Sequence, residues 1–157
     1  MIKAQWFIKI FFILLFSEYA LSKEIYVVSI GRSIEQVQEL AGKADSINMQ
    51  EADEITGMGI TQSHVYSGAN LDFHKGQNGF YLWKVEINSS EWAYSDKRIK
   101  IGVNSALVLS VLGEPASKEP ESNKSVWFYH FKEFDGWLRI EFQNDKLIKI
   151  LAVEDWT

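Results

Sequence analysis

Residues 100–115 read KIGVNSALVLSVLGEP, a stretch that marks its own limits. Asn104 is a side chain suited to accepting hydrogen bonds at the start of a helix. Leu107, Val108, Val111 and Leu112 then follow at the i, i+1, i+4, i+5 spacing of one helical face. Gly113 supplies a left-handed residue after the last turn, and Pro115 cannot continue the helix. The spacing predicts a short helix between Asn104 and Gly113. Residues 29–44, SIGRSIEQVQELAGKA, follow the same plan earlier in the chain: Ile-Gly, a polar cap, a helix-forming run, then Gly. There Ser33 and Gln36 make a capping box, and Ile34, Val37, Leu40 and Ala41 make the buried stripe.

Working outward from residues 100–115, a polar loop (Ser117 to Lys124) leads to three alternating apolar runs. These are Val126 to Phe131, Trp137 to Phe142 and Lys146 to Val153. Asp135-Gly136 and Asn144-Asp145 stand in the gaps, as tight antiparallel connections require. On the middle run Leu138, Ile140 and Phe142 share one face, and Trp137, Arg139 and Glu141 the other. After residues 29–44 comes a polar, acidic segment from Asp45 to Gly59, with another helical turn expected around Gln50 to Ile55. Strands are expected at Gln62 to Tyr66, Leu71 to Lys75 and Phe80 to Ile87, with short extended runs at Ile25 to Ser29 and Arg98 to Ile101. Asn88 to Lys97 reads as a linker.

An eight-residue helix is marginal by itself, and one helix on three strands has a thin core. Two such units side by side bury more surface per residue. The expected fold is therefore α+β: tandem helix-plus-three-stranded-meander repeats forming one antiparallel sheet, with helices on one face. The first repeat is expected over residues 23–95 and the second over residues 96–157. Residues 1–22 read as a secretory signal peptide: two lysines, the apolar run IFFILLF, and Ala20-Leu21-Ser22 ahead of Lys23. Its removal takes the formal charge from −5 to −6. The expected location is the periplasm or the exterior.

The motif residues Ile101-Gly102, Val108, Leu112-Gly113-Glu114-Pro115, Trp127-Phe128-Tyr129 and Leu138 to Ile150 resemble the SmpA/OmlA (BamE-like) family. A tandem pair of such units resembles the architecture of the β-lactamase inhibitor protein. The resemblance implies either an inhibitor-like sheet that grips a protein or an envelope-assembly scaffold. Lipid-anchored members of the first group carry a lipobox cysteine and the second is disulfide-bonded, whereas this chain has no cysteine.

That absence also removes thiol nucleophiles and cysteine-type zinc sites. The acidic balance offers no footprint for nucleic acid. His64, His74 and His130 lack metal-ligand spacing and read as solvent-facing or edge-strand residues. Gly57-Met58-Gly59 lacks the frame of a phosphate loop. No nucleophile motif stands out, so neither an enzyme nor a cofactor is expected. The aromatic residues carry more information. Five of the six tryptophans lie beyond residue 22: Trp83, Trp92, Trp127, Trp137 and Trp156. On Phe80 to Ile87, Tyr81, Trp83, Val85 and Ile87 fall on one face by simple alternation. Large aromatics with a polar tip are enriched at protein interfaces. The expected function is binding of another protein, an exported enzyme or toxin, as an inhibitor or immunity protein. Tyr81, Trp83, Trp127, Tyr129 and Trp137 would be the anchors, with Asp53 and Glu54 in an acidic loop meeting a basic rim. A carbohydrate-binding or hydrolytic domain is the remaining alternative, since tryptophans on a sheet also stack on sugars.

Overall fold

The structure, a computed structural model, describes residues 25–52, 59–95, 97–132 and 135–155. The signal-peptide expectation, Asp53, Glu54, Gly57, Met58 and Trp156 lie outside the described residues.

The chain begins with β1 (Tyr26–Val28) and α1 (Ile34–Ala41), then β2 (Ser46–Gln50), β3 (Thr61–Tyr66), β4 (Ala69–Gly76) and β5 (Gly79–Ile87). It continues through β6 (Trp92–Tyr94), β7 (Ile99–Lys100), α2 (Ser105–Leu112), β8 (Ser117–Glu121), β9 (Lys124–His130), β10 (Gly136–Gln143) and β11 (Lys146–Glu154). Eight strands form one antiparallel sheet in the order β2-β3-β4-β5-β11-β10-β9-β8, and β1, β6 and β7 form a small mixed sheet.

This overturns the expected α+β fold of tandem helix-plus-three-stranded-meander repeats. The described chain is 55% strand and 13% helix, with only two helices beside the eight-stranded sheet and the small mixed sheet. Two of the additional strands, β2 and β8, are edge strands whose residues are almost all exposed. Neither has a buried face: β8 carries no apolar residue, and the short alternation of Ile47 and Met49 in β2 faces solvent, so pairing to β3 and β9 makes them strands. The helical turn expected from Gln50 is replaced, at Gln50, by the end of β2. The expected linker holds β6, in which Trp92, Ala93 and Tyr94 are all buried. Its pairing with β1 is parallel and non-local, which no local pattern announces.

Both helices start as their caps dictate. Ser33 Oγ accepts from the Gln36 amide while Gln36 Oε1 accepts from the Ser33 amide, and Asn104 Oδ1 accepts from the Leu107 amide at 2.9 Å. They end differently from expectation. Gly42 (φ 76°, ψ −160°) and Gly113 (φ 80°, ψ −164°) occupy an extended positive-φ region open essentially to glycine alone, not the left-handed helical one. Leu107 is also turned outward, and Val108 is the buried residue of α2.

One core holds the layers together. Leu71, Phe73, Leu82, Val85, Ile87, Ile140, Leu147 and Ile150 from the large sheet join Val37 and Val108 from the helices and Val28, Trp92 and Tyr94 from the small sheet. Helices and small sheet therefore lie on the same side of the eight strands. No described helix is long and apolar enough to cross a membrane.

Candidate functional site: the uncovered face of the sheet

Successive strand residues point to opposite faces, so the faces follow from register. On the side away from the helices one row runs Ser63, Asp72, Lys84, Val153, Trp137 across β3, β4, β5, β11 and β10. The next row runs Asn70, Glu86, Leu151, Arg139, Phe128. Phe128, Trp137, Leu151, Val153 and Trp83 are half-buried, and none belongs to the core cluster. The Phe128 and Trp137 rings lie 6.5 Å apart at a 57° tilt. Trp137 sits opposite Val153, and Val153 opposite Lys84. With strands spaced about 4.8 Å apart, Trp137 is about 10 Å from the β5 row. The result is an apolar band across β9, β10 and β11, with Trp83 set apart on β5 beside Lys84.

Most charges on this face are matched to one another, the exposed Glu119 of the edge strand β8 standing outside the pairs. Asp72 and Lys84 meet at 2.9 Å, Glu86 and Lys149 at 2.8 Å, Glu141 and Lys124 at 2.9 Å, and Glu121 and Arg139 at 3.0 Å. Arg139 also pairs with Glu141 on its own strand. Burial alone would push the Glu141 carboxyl up, but the Lys124 hydrogen bond and the charges of Arg139, Lys124 and Lys149 hold it below its ordinary value. A face with its charges paired internally has little net field, so its apolar band sets what it can hold.

The expected aromatic anchors are divided between the two faces. Trp83 and Trp137 belong to the uncovered face. Trp83 arrives there through a β-bulge at Asp72/Phe73, which breaks the alternation that placed it with Val85 and Ile87; those two are in the core. Tyr81 sits opposite His74 at the end of β4 and β5, rings 5.8 Å apart and edge-on. Burial, then the charge of Glu154, pushes its hydroxyl up. Trp127 and Tyr129 instead point to the helix side and are buried. Trp127 Nε1 donates to Ser125 Oγ at 2.9 Å, its ring packs at a 52° tilt against Phe142 with centroids 4.6 Å apart, and the Lys118 ammonium caps it. The Tyr129 hydroxyl donates to the Gly113 carbonyl at 3.2 Å, and burial followed by the Glu114 charge pushes it up to about 12. These two fasten β9 to the core and to the end of α2. Sequence reasoning missed Phe128, Leu151 and Val153 as neighbours of Trp137, although the alternation along β9, β10 and β11 carries them.

The histidines stand apart. His64 is buried against Phe73 rather than solvent-facing, His74 is half-buried beside Tyr81, and His130 is exposed. Among the described residues no group of three His, Cys, Asp or Glu side chains could hold a metal ion.

No family model matches the chain, and no curated protein matches it. A solved structure described as an extracellular protein containing a SCP domain, from Bacillus anthracis str. Ames, is similar over 80% of this chain at 13% identity, with a TM-score of 0.47. The chain spans 44% of that protein's length.

Proposed function

We propose that the chain is an exported protein-binding module that docks another protein through the uncovered face of its large sheet, as an inhibitor or immunity protein of an exported enzyme or toxin. The observation that carries this reading is the band of Phe128, Trp137, Leu151 and Val153, with Trp83 on the neighbouring β5, on a face most of whose charges are already paired. A partner can desolvate such a face without stranding a charge, and large aromatics supply the anchor energy. The basic, apolar and small-residue order of residues 1–22 supports export to the periplasm or beyond.

A photo-crosslinking residue at position 137 or 83, with position 107 on the exposed helix surface as control, tests the reading in the producing cell. A discrete adduct with one exported protein from positions 137 and 83, absent from 107 and abolished by Phe128→Asp, is the expected result. The adducted protein should lose activity when mixed with the purified chain. Adducts indistinguishable among the three positions overturn the docking face; an adduct without loss of partner activity overturns the inhibitor role.

One further observation favours a second reading. A cleft of about 270 Å³ beside Trp83 is lined by Asn48, Gln50, Ser63, Asp72 and Lys84. Amide, carboxylate and hydroxyl groups around an aromatic ring suit the vicinal hydroxyls and C–H face of a sugar. Quenching of Trp83 fluorescence by a neutral oligosaccharide, lost in Asn48→Ala, would support it; no change at millimolar sugar would dismiss it.

A further inference from the structure

The two edges of the eight-stranded sheet are treated in opposite ways. An edge strand exposes unpaired backbone groups, and natural sheets block such edges with charges and proline. β8 is blocked: Ser117-Lys118-Glu119-Pro120-Glu121 has three charges and a residue without an amide hydrogen, and Lys118 is tied to Glu114 at 3.0 Å. β2 is not. Ser46-Ile47-Asn48-Met49-Gln50 has no charge and no proline. Three large apolar side chains stand out in solvent among the described residues, and two of them, Ile47 (52% exposed) and Met49 (58%), are on this strand. Both lie on the helix side, opposite His64 and Gln62 of β3.

We propose that β2 pairs antiparallel with β2 of a second copy of this chain across a two-fold axis, making one sixteen-stranded sheet from two eight-stranded ones. A charge-free edge is what two acidic copies, each with a formal charge of −5, need in order to approach. The flanking residues select the register. Centring the axis on Ile47 sets each Ile47 against its copy, Ser46 against Asn48 and Asp45 against Met49. It also brings Lys43 to Glu51 at both ends, and both side chains are exposed. Centring on Asn48 instead brings Asp45 to Glu51, a like-charge clash that disfavours it. A two-fold axis normal to the sheet leaves both uncovered faces on the same side, so the pair offers two adjacent docking bands. The inference does not depend on what those bands hold.

A five-residue ladder is short beside interfaces of about 1,200–2,000 Å², so the expected association is at tens of micromolar. Sedimentation equilibrium of the purified chain between roughly 1 and 200 µM reads it over the span such an affinity requires. A monomer–dimer equilibrium is expected, weakened at least tenfold by Ile47→Lys, an exposed site where the fold tolerates the change. Glu51→Lys should weaken it about threefold to tenfold, and Lys43→Glu in the same chain should restore it, the size a surface charge pair carries. A monomer throughout that range overturns the proposal. So does a dimer indifferent to Ile47→Lys, or a Glu51→Lys effect that the charge swap fails to reverse.

Discussion

Glu141 offers the most direct test of how the uncovered face is held together. Its side chain is 5% exposed yet sits on the side of the sheet that no described layer covers, screened by its own neighbours. Lys124 reaches it from β9 at 2.9 Å, and Arg139 from two positions earlier on β10. Glu141→Gln keeps the shape and removes the charge, leaving two cations facing a neutral amide. Breaking a fully buried pair by removing one partner costs about 3–5 kcal/mol. Here the cost is smaller, because the Lys124 and Arg139 side chains are 37% and 22% exposed and Arg139 keeps Glu121 at 3.0 Å. An expected loss of about 1–2 kcal/mol follows from that discount. With a urea slope of roughly 2 kcal/mol per molar, the midpoint should fall by about 0.5–1 M.

The pH dependence separates charge from packing. Glu141 is held below its ordinary value of 4.5 in the folded chain. The unfolded state therefore binds the proton first, and the stabilisation is complete above about 4.5 and is lost as pH falls through the folded value. The gap between wild type and Glu141→Gln, measured by urea unfolding, should be full at neutral pH and shrink as the carboxylate of the native chain is protonated. A gap of the same size under acid and neutral conditions would refute the electrostatic account. No loss at neutral pH would refute the burial argument itself.

Gly113→Ala should cost about 1–3 kcal/mol in thermal unfolding, because the residue holds a glycine-only conformation. An added Cβ there meets no atom within 4 Å, so the whole cost is backbone strain. Trp92→Phe should cost about 1–2 kcal/mol, since the Nε1 that donates to the Ser67 carbonyl at 2.9 Å is lost and that carbonyl left without it. Trp92→Ala, which also opens the space against Tyr26 and Tyr66, should cost about 3–5 kcal/mol by the same denaturation assay. Burial lowers the His64 imidazole below 6.5, so native stability should decline as pH falls from about there toward the folded value. His64→Phe should remove that part of the pH slope, and an unchanged slope would place its origin elsewhere.

The sequence made legible whatever is written locally. Ser33-x-x-Gln36 and Asn104 set the helix starts, and the alternation of Leu138, Ile140 and Phe142 set the inner face of β10. Six of the eight sheet strands lie within a few residues of where periodicity placed them. What stayed hidden is settled by distant partners. β2 and β8 gain strand geometry only from β3 and β9, and β6 from a parallel pairing with β1. The bulge beside Trp83 inverts the face assignment of everything before it on β5, and a period-two reading has no means of registering an inserted residue. The same limit scattered the candidate site: Trp127 and Tyr129 look like Trp83 and Trp137 in composition, but parity sends them into the core.

The open face follows from the sizes of the layers. Eight strands span about 34 Å across seven spacings, whereas a helix of eight residues is about 12 Å long. Two such helices and a three-stranded sheet suffice for one side of that span, and the core cluster shows that they are committed to that side. Among the described residues nothing covers the other side, and there the pairs Asp72–Lys84, Glu86–Lys149 and Glu141–Lys124 satisfy the charged side chains locally. Phe128, Trp137, Leu151 and Val153 lie among those pairs, half-buried and outside the core cluster. Polar β-formers such as threonine would serve the sheet as well at those positions. An apolar band on a face that no described layer covers, flanked mostly by charges that already have partners, is the observation on which the proposed docking role rests.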